Sequence, residues 1–191
     1  MSGNNIGGYF GGRGVVRTPE GPKEIAEAVR VMASLTSIDL QHNNLGPEGA
    51  KALAPALRDS TSLTWVNLLR NEFDTEAASV LLKVKAEKPM LRTFCGFMHT
   101  ETALNYWNQG LGPADAMLLA PEISVMASVT ECNLRGHHLN EQSAKELAKI
   151  GTEKRITLFG IKHGEREADF RRQGIGSVDA ILIANDLAVT A

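Results

Sequence analysis

Disulfides, membrane spans and a dominant charge are all missing from this chain of 191 residues. It has two cysteines, Cys95 and Cys132, too few for a disulfide framework, so a reducing, cytoplasmic setting is expected. Nowhere does an apolar run approach the roughly eighteen residues that a membrane span requires, so no membrane partner is expected. Twenty Lys and Arg against 22 Asp and Glu leave a net charge of −2. That balance argues against a chain built mainly to hold nucleic acid. The opening MSGNNIGGYFGGRG lacks the basic start and apolar stretch of a secretory signal. It also contains neither a phosphate-cradling G-x-x-x-x-G-K-[ST] loop nor a dinucleotide G-x-G-x-x-G. Residues 1–21 therefore read as a glycine-rich flexible tail. Aromatics are scarce, at 5%, whereas Leu (21) and Ala (22) abound. A core of Leu and Ala suggests small helices packed closely and repeatedly.

Repetition is what the sequence does have. Residues 92–127 match 156–191 at an offset of 64, with 13 identities in 36 positions, among them Gly96/Gly160, Gln109/Gln173, Gly110/Gly174, Gly112/Gly176 and Asp115/Asp179. A second pattern sets Leu35, Ile38, Leu40, Asn43 and Leu45 ahead of an amphipathic Ala/Leu segment. Laid along the chain, that frame gives units starting at 35, 63, 101, 129 and 165. The apolar strand position reads Leu40, Leu68, Tyr106, Leu134, Phe170. A polar ladder position follows: Asn43, Asn71, Gln109, His137, Gln173. Fifteen residues into each unit stands Ala50, Ala78, Ala116, Ala144, Ala180. Alternating apolar residues put one face of a short strand into the core. The Asn amide has the donors and acceptor to satisfy backbone groups where the chain leaves the strand. Gly46, Asp74, Gly112, Asn140 and Gly176 then supply turn or N-cap chemistry, with Pro47 and Pro113 in the first helical turn. The invariant Ala marks a close helix–strand approach.

The steps of 38 and 36 residues contain extra segments, 91–97 and 155–161. In one frame these are additional strands without a helix. In the other they are the strands themselves, and 101–109 and 165–173 are loops. The Gln-Gly-Leu-Gly and Gln-Gly-Ile-Gly endings favour the first. An amphipathic helix over 22–34 is expected to cap the first strand. Nothing in the sequence caps the last unit, with its strand near 168–170 and helix near 179–189.

The motif L-G-x-x-G-A-x-x-L-A-x-x-L from Leu45 to Leu57, with the 28-residue period, resembles the ribonuclease-inhibitor-like subfamily of leucine-rich repeat proteins. The resemblance covers roughly residues 22–191. It implies an α/β fold: a curved solenoid of about five or six units, with a parallel concave sheet and convex helices. It also implies a non-enzymatic scaffold that binds another protein, as ribonuclease inhibitor and the Ran GTPase activators do.

On such a sheet the outward positions form rows. One is Asp39, Asn67, Asn105, Asn133, Asp169; another is Gln41, Leu69, Trp107, Arg135, Arg171. Both tryptophans fall on this face. Trp and Arg offer large contact areas and multiple donors, so the expected binding patch is Trp65, Leu69, Arg70, Trp107 and Arg135 with Asn67, Asn105 and Asn133. Two other roles are open: self-association through the C-terminal end, whose apolar helix surface and strand edge invite pairing, or regulation of a small GTPase. Cofactors and metals are not expected. Cys132 and His137 point inward and His138 away, so three ligands cannot converge. Cys95 reads as an exposed thiol with no base beside it.

Overall fold

The computed structural model describes residues 4–11, 14–171 and 173–191. Contacts divide the chain into two compact units, one running to Phe97 and the other from Met98.

In the first unit a hairpin of β1 (Gly8–Gly11) and β2 (Gly14–Arg17) precedes helix α1 (Glu20–Val31). Strand β3 (Ser37–Asp39), helix α2 (Gly46–Asp59), strand β4 (Trp65–Asn67) and helix α3 (Thr75–Glu87) follow. β3 and β4 are parallel, with Ile38 opposite Val66. The 28-residue step then continues, because Trp65 bridges in parallel to Thr93. Segment 91–97 is thus a further rung of this array, without a helix of its own. The core beneath the rungs is Leu40, Leu68, Phe94, Leu53, Leu57 and Leu81, all fully buried.

The second unit starts the pattern again. It contains β5 (Ala103–Asn105), α4 (Pro113–Val125), β6 (Glu131–Asn133), α5 (Glu141–Lys154) and α6 (Ser177–Thr190). β5 and β6 are parallel, with Leu104 opposite Cys132. Glu131 bridges to Thr157, a step of 26 rather than 28. Helix α5 stops abruptly on Arg155 in the left-handed conformation (φ 57°), and Ile156 is already back on the rung, donating to Gly151 O at 2.8 Å.

Capping follows the sequence. Asp74 accepts the Ala77 N–H at 2.7 Å and Asn140 that of Ser143 at 2.8 Å. Where Gly takes the cap position, the acid three residues on reaches back: Asp115 to the Gly112 N–H and Asp179 to that of Gly176, both at 2.9 Å. Each satisfies a helix-end donor that would otherwise be orphaned.

The structure departs from the sequence reading in three places. Within the glycine-rich start, Gly7 is held rather than loose: it donates to Asn43 O at 2.9 Å, and a Cβ there would lie 2.4 Å from Leu45 Cα. Glycine there permits the backbone to lie flat against the first turn. Second, among the described residues, 168–170 form no strand. Third, Ala50, Ala78, Ala116 and Ala144 are buried, but Ala180 is exposed.

Helix α6 is anchored by a buried charge. The Asp186 carboxylate accepts the backbone N–H groups of Leu158, Phe159 (2.9 Å), Gly160 (3.1 Å) and Ile161 (3.0 Å). Asn185 beside it donates to Ile156 O at 2.9 Å. Hydrogen bonds to a charged acceptor are each worth about 1.5–3 kcal/mol, and buried donors left without one are costly. Asp186→Ala should therefore lower unfolding free energy by about 3 kcal/mol or more, read as a fall in the urea midpoint at unchanged slope. Asp186→Asn, which retains one acceptor, should lose less.

Candidate functional site

Each of the parallel strands β3, β4, β5 and β6 leaves its sheet at an Asp or Asn whose side-chain oxygen accepts the N–H two residues on. The pairs are Asp39–Gln41 (2.9 Å), Asn67–Leu69 (3.3 Å), Asn105–Trp107 (3.1 Å), Asn133–Arg135 (3.1 Å) and, in the loop that repeats this turn, Asp169–Arg171 (2.9 Å). The helix-less rung does the same with a hydroxyl, Thr93 Oγ1 accepting from Cys95 (3.0 Å) and Phe97 (3.1 Å). A carboxylate or amide one methylene from the backbone reaches this N–H without strain. Asn67, Asn105 and Asn133, expected in the binding row, thus act first on their own turns, and Asn67 is also buried. The signal was present in the sequence: at this position all five units carry Asp or Asn and nothing else.

The polar ladder forms in the first unit. Asn71 is fully buried; its amide donates to Leu40 O and Leu68 O, both at 2.8 Å, and its oxygen accepts from Asn43 N (2.9 Å) and Leu45 N (3.4 Å). Asn43 donates to Leu40 O and Gln41 O, both at 3.0 Å. In the second unit His137 takes over part of this role. Its Nδ1 accepts the Leu111 N–H at 3.1 Å, 26 residues back, the same interval as from Asn71 to Leu45. Gln109 and Gln173 depart from the ladder: each amide curls onto its own strand or loop, donating to Asn105 O (3.0 Å) and Asp169 O respectively. The extra methylene lets the side chain reach four residues back.

The expected patch is only partly on the surface. Leu69 is 1% exposed and belongs to the core, and Trp65 and Arg70 are half-buried. These three lie in the first unit; Trp107 and Arg135 lie in the second. Trp107 is 59% exposed. Asn105 pairs with Asn133, and two residues further in the same register stand Trp107 and Arg135. The Arg135 guanidinium lies 5.6 Å from the centre of the Phe159 ring, which meets Phe170 edge-on at 6.1 Å. Trp107 and Arg135 thus share one side of the second unit, with half-buried Phe170 beside them and Phe159, only 5% exposed, as the ring under the guanidinium. Sequence reasoning missed the contact with Phe159, which sits on the segment read as an inserted strand.

Gly136 (φ 78°) holds the turn beside this surface in the left-handed conformation, and Asn108, Arg70 and His42 hold the matching turns likewise. The loops around His99 and His163 close on their glutamates. Glu101 accepts from Met98 N (2.8 Å) and Thr100 N (3.0 Å), and Glu165 from Lys162 N (2.9 Å). Burial pushes the Glu101 carboxyl up, but these N–H groups outweigh it and hold it below the usual range.

Both cysteines are buried, Cys95 included, which corrects its reading as an exposed thiol. Burial, with Glu131 and Asp186 adding repulsion, pushes the Cys132 thiol from 9.0 up to about 12. No helix among the described residues is long and apolar enough to cross a membrane.

A family model of the leucine-rich repeat matches residues 31–54, from the end of α1 through β3 into α2. The match supports a leucine-rich repeat protein. A search of curated proteins finds no match to the chain.

Two expectations follow from this geometry. His137→Asn should preserve the acceptor for the Leu111 N–H and leave the melting temperature near that of the unaltered chain. His137→Ala should cost about 1–3 kcal/mol by orphaning that donor. Cys132 should resist thiol reagents in the folded protein at neutral pH. Its raised value means the unfolded chain releases this proton first, so its share of stability holds below pH 9.0 and is lost as pH rises towards about 12. Alkaline urea titrations of Cys132→Ala against the unaltered chain measure that share.

Proposed function

We propose that this chain is a non-enzymatic leucine-rich repeat protein that binds another protein through the strand side of its second unit, at Trp107, Arg135 and Phe170. One observation carries the reading. Trp107 stands 59% exposed in register with an arginine already stacked on an aromatic ring. Trp and Arg dominate binding hot spots, and arginine held over a ring can still direct its donors at a carboxylate or a carbonyl. The 28-residue steps from 37 to 65 to 93, and from 103 to 131, support a ribonuclease-inhibitor-like array with strands on its binding side. Two buried cysteines that form no disulfide support a reducing compartment.

The test is a comparison of matched baits. Trp107→Ala and Arg135→Ala should each lose a protein that the unaltered chain captures; at exposed Trp107 the stability change should be no more than about 0.5 kcal/mol, while Arg135→Ala costs more because it also uncovers the Phe159 ring. A Trp65→Phe background leaves Trp107 as the only indole, and its fluorescence should shift to the blue when the captured protein is added. Binding that survives both alanine variants would place the contact elsewhere.

A further inference from the structure

The two units treat the asparagine that ends their second parallel strand differently. In both, its Oδ1 is spent on its own turn, accepting from Leu69 N in one and from Arg135 N in the other. In the first unit the amide N–H is spent as well: Asn67 Nδ2 donates to Gln41 Oε1, 26 residues back, at 3.3 Å. In the second unit the residue at that interval before Asn133 is Trp107, whose indole can donate but has no oxygen to accept. Asn133 Nδ2 therefore meets no acceptor among the described residues. Neither does Asn105 Nδ2, whose Oδ1 holds the Trp107 N–H. Arg135 adds a guanidinium that lies over Phe159 and pairs with no carboxylate among the described residues. Asn105, Trp107, Asn133 and Arg135 thus present N–H donors with no oxygen left to accept, and one of them is a cation.

Resting on the binding surface proposed above, we infer that the partner segment seated there is acidic: an Asp or Glu carboxylate binds between the Asn133 amide and the Arg135 guanidinium, with an apolar neighbour against Trp107. Two residues on one strand face stand about 7 Å apart. A carboxylate spans that gap with one oxygen for each donor, at about 2.8 Å apiece. Charge decides between acceptors. A backbone carbonyl satisfies the amide but leaves the guanidinium unmatched, whereas a bond between two ionised groups is roughly twice as strong as a neutral one. A phosphate dianion asks for more cations than these strands supply, because Arg135 is the one cation in 103–107 and 131–135. Arg171, in the loop that repeats the turn, is already held by Asp169 at 2.7 Å. Glu131 shares the strand but lies four residues before Arg135, about 13 Å along it. That exceeds the Debye length of about 8 Å at physiological salt, so a carboxylate in contact with Arg135 answers to Arg135.

The probe is a displayed library of short random peptides selected on the full chain. Selected peptides should be enriched in Asp or Glu beside an apolar residue. Synthetic copies are then titrated in the Trp65→Phe background, where Trp107 fluorescence reports binding. Replacing the peptide's carboxylate by its amide should weaken binding at least about tenfold, and Arg135→Gln should remove most of that difference. Asn133→Asp is the sharper variant. Its carboxylate can still accept the turn N–H, as Asp39 and Asp169 do, so the melting temperature should hold. It exchanges the amide donor for a negative charge, so the acidic peptide should bind at least about tenfold more weakly. Peptides that need Trp107 but show no enrichment in acid, or that bind Asn133→Asp equally well, overturn this inference and leave the surface standing. So does a peptide that binds more tightly when phosphoserine replaces its acidic residue. Selected peptides indifferent to Trp107→Ala, or a library without a binder, overturn the surface and the inference together.

Discussion

A chain that turns away from a sheet inside a dry core must find partners for the N–H and C=O groups it frees, and Asn71 is where the first unit meets that demand. One amide, wholly buried, holds the carbonyls of Leu40 and Leu68 and the N–H groups of Asn43 and Leu45. It thereby joins two turns that lie a full repeat apart. Removing such a group leaves several buried polar atoms unmatched at once. The positions of the leucines beneath, and so the spacing of β3 and β4, follow from this bond set. The second unit meets the same constraint with different chemistry: an imidazole nitrogen at His137 and a carboxylate at Asp186.

How much of this could be read from residue order depends on what each residue answers to. Leu40, Leu68 and Leu134 answer to local alternation, and the structure buries all three. Asp74, Asn140 and Pro113 answer to helix-end chemistry within a few residues, and they sit where that chemistry puts them. Leu69 does not. Alternation assigns it to the outer face beside Trp107 and Arg135, but in the first unit the turn held by Asn67 carries it into the core. The segment at 168–170 takes the frame position of 104–106 inside a self-matching stretch, yet it shares no residue with 104–106 and, among the described residues, forms no strand. Pairing is a property of neighbours, and self-similarity cannot report it.

The surface at Trp107 was partly legible for the same reason. Trp107 and Arg135 at matched positions were visible in the frame, but buried Phe159 meets Arg135 from a rung whose step is two residues short, and Phe170 meets Phe159 from the loop beyond it. That shortening arises at Arg155, whose left-handed conformation ends α5 in a single residue. An arginine bears no sequence mark of that conformation, unlike the glycine at 136. Gly7 escaped the sequence for the opposite reason: composition suggested freedom, whereas at this position nothing larger fits against Leu45.

The self-matching block spans the boundary between the two compact units. It begins at 92, inside one compact unit, and its first copy ends at 127, inside the other. Two matching stretches that fold against different neighbours keep the same apolar positions whether or not a neighbour meets them. The bare alanines of α6 thus have the composition of a packing surface, as their buried counterparts Ala116 and Ala120 show. Evolution can fill or reuse such a surface without inventing a new one.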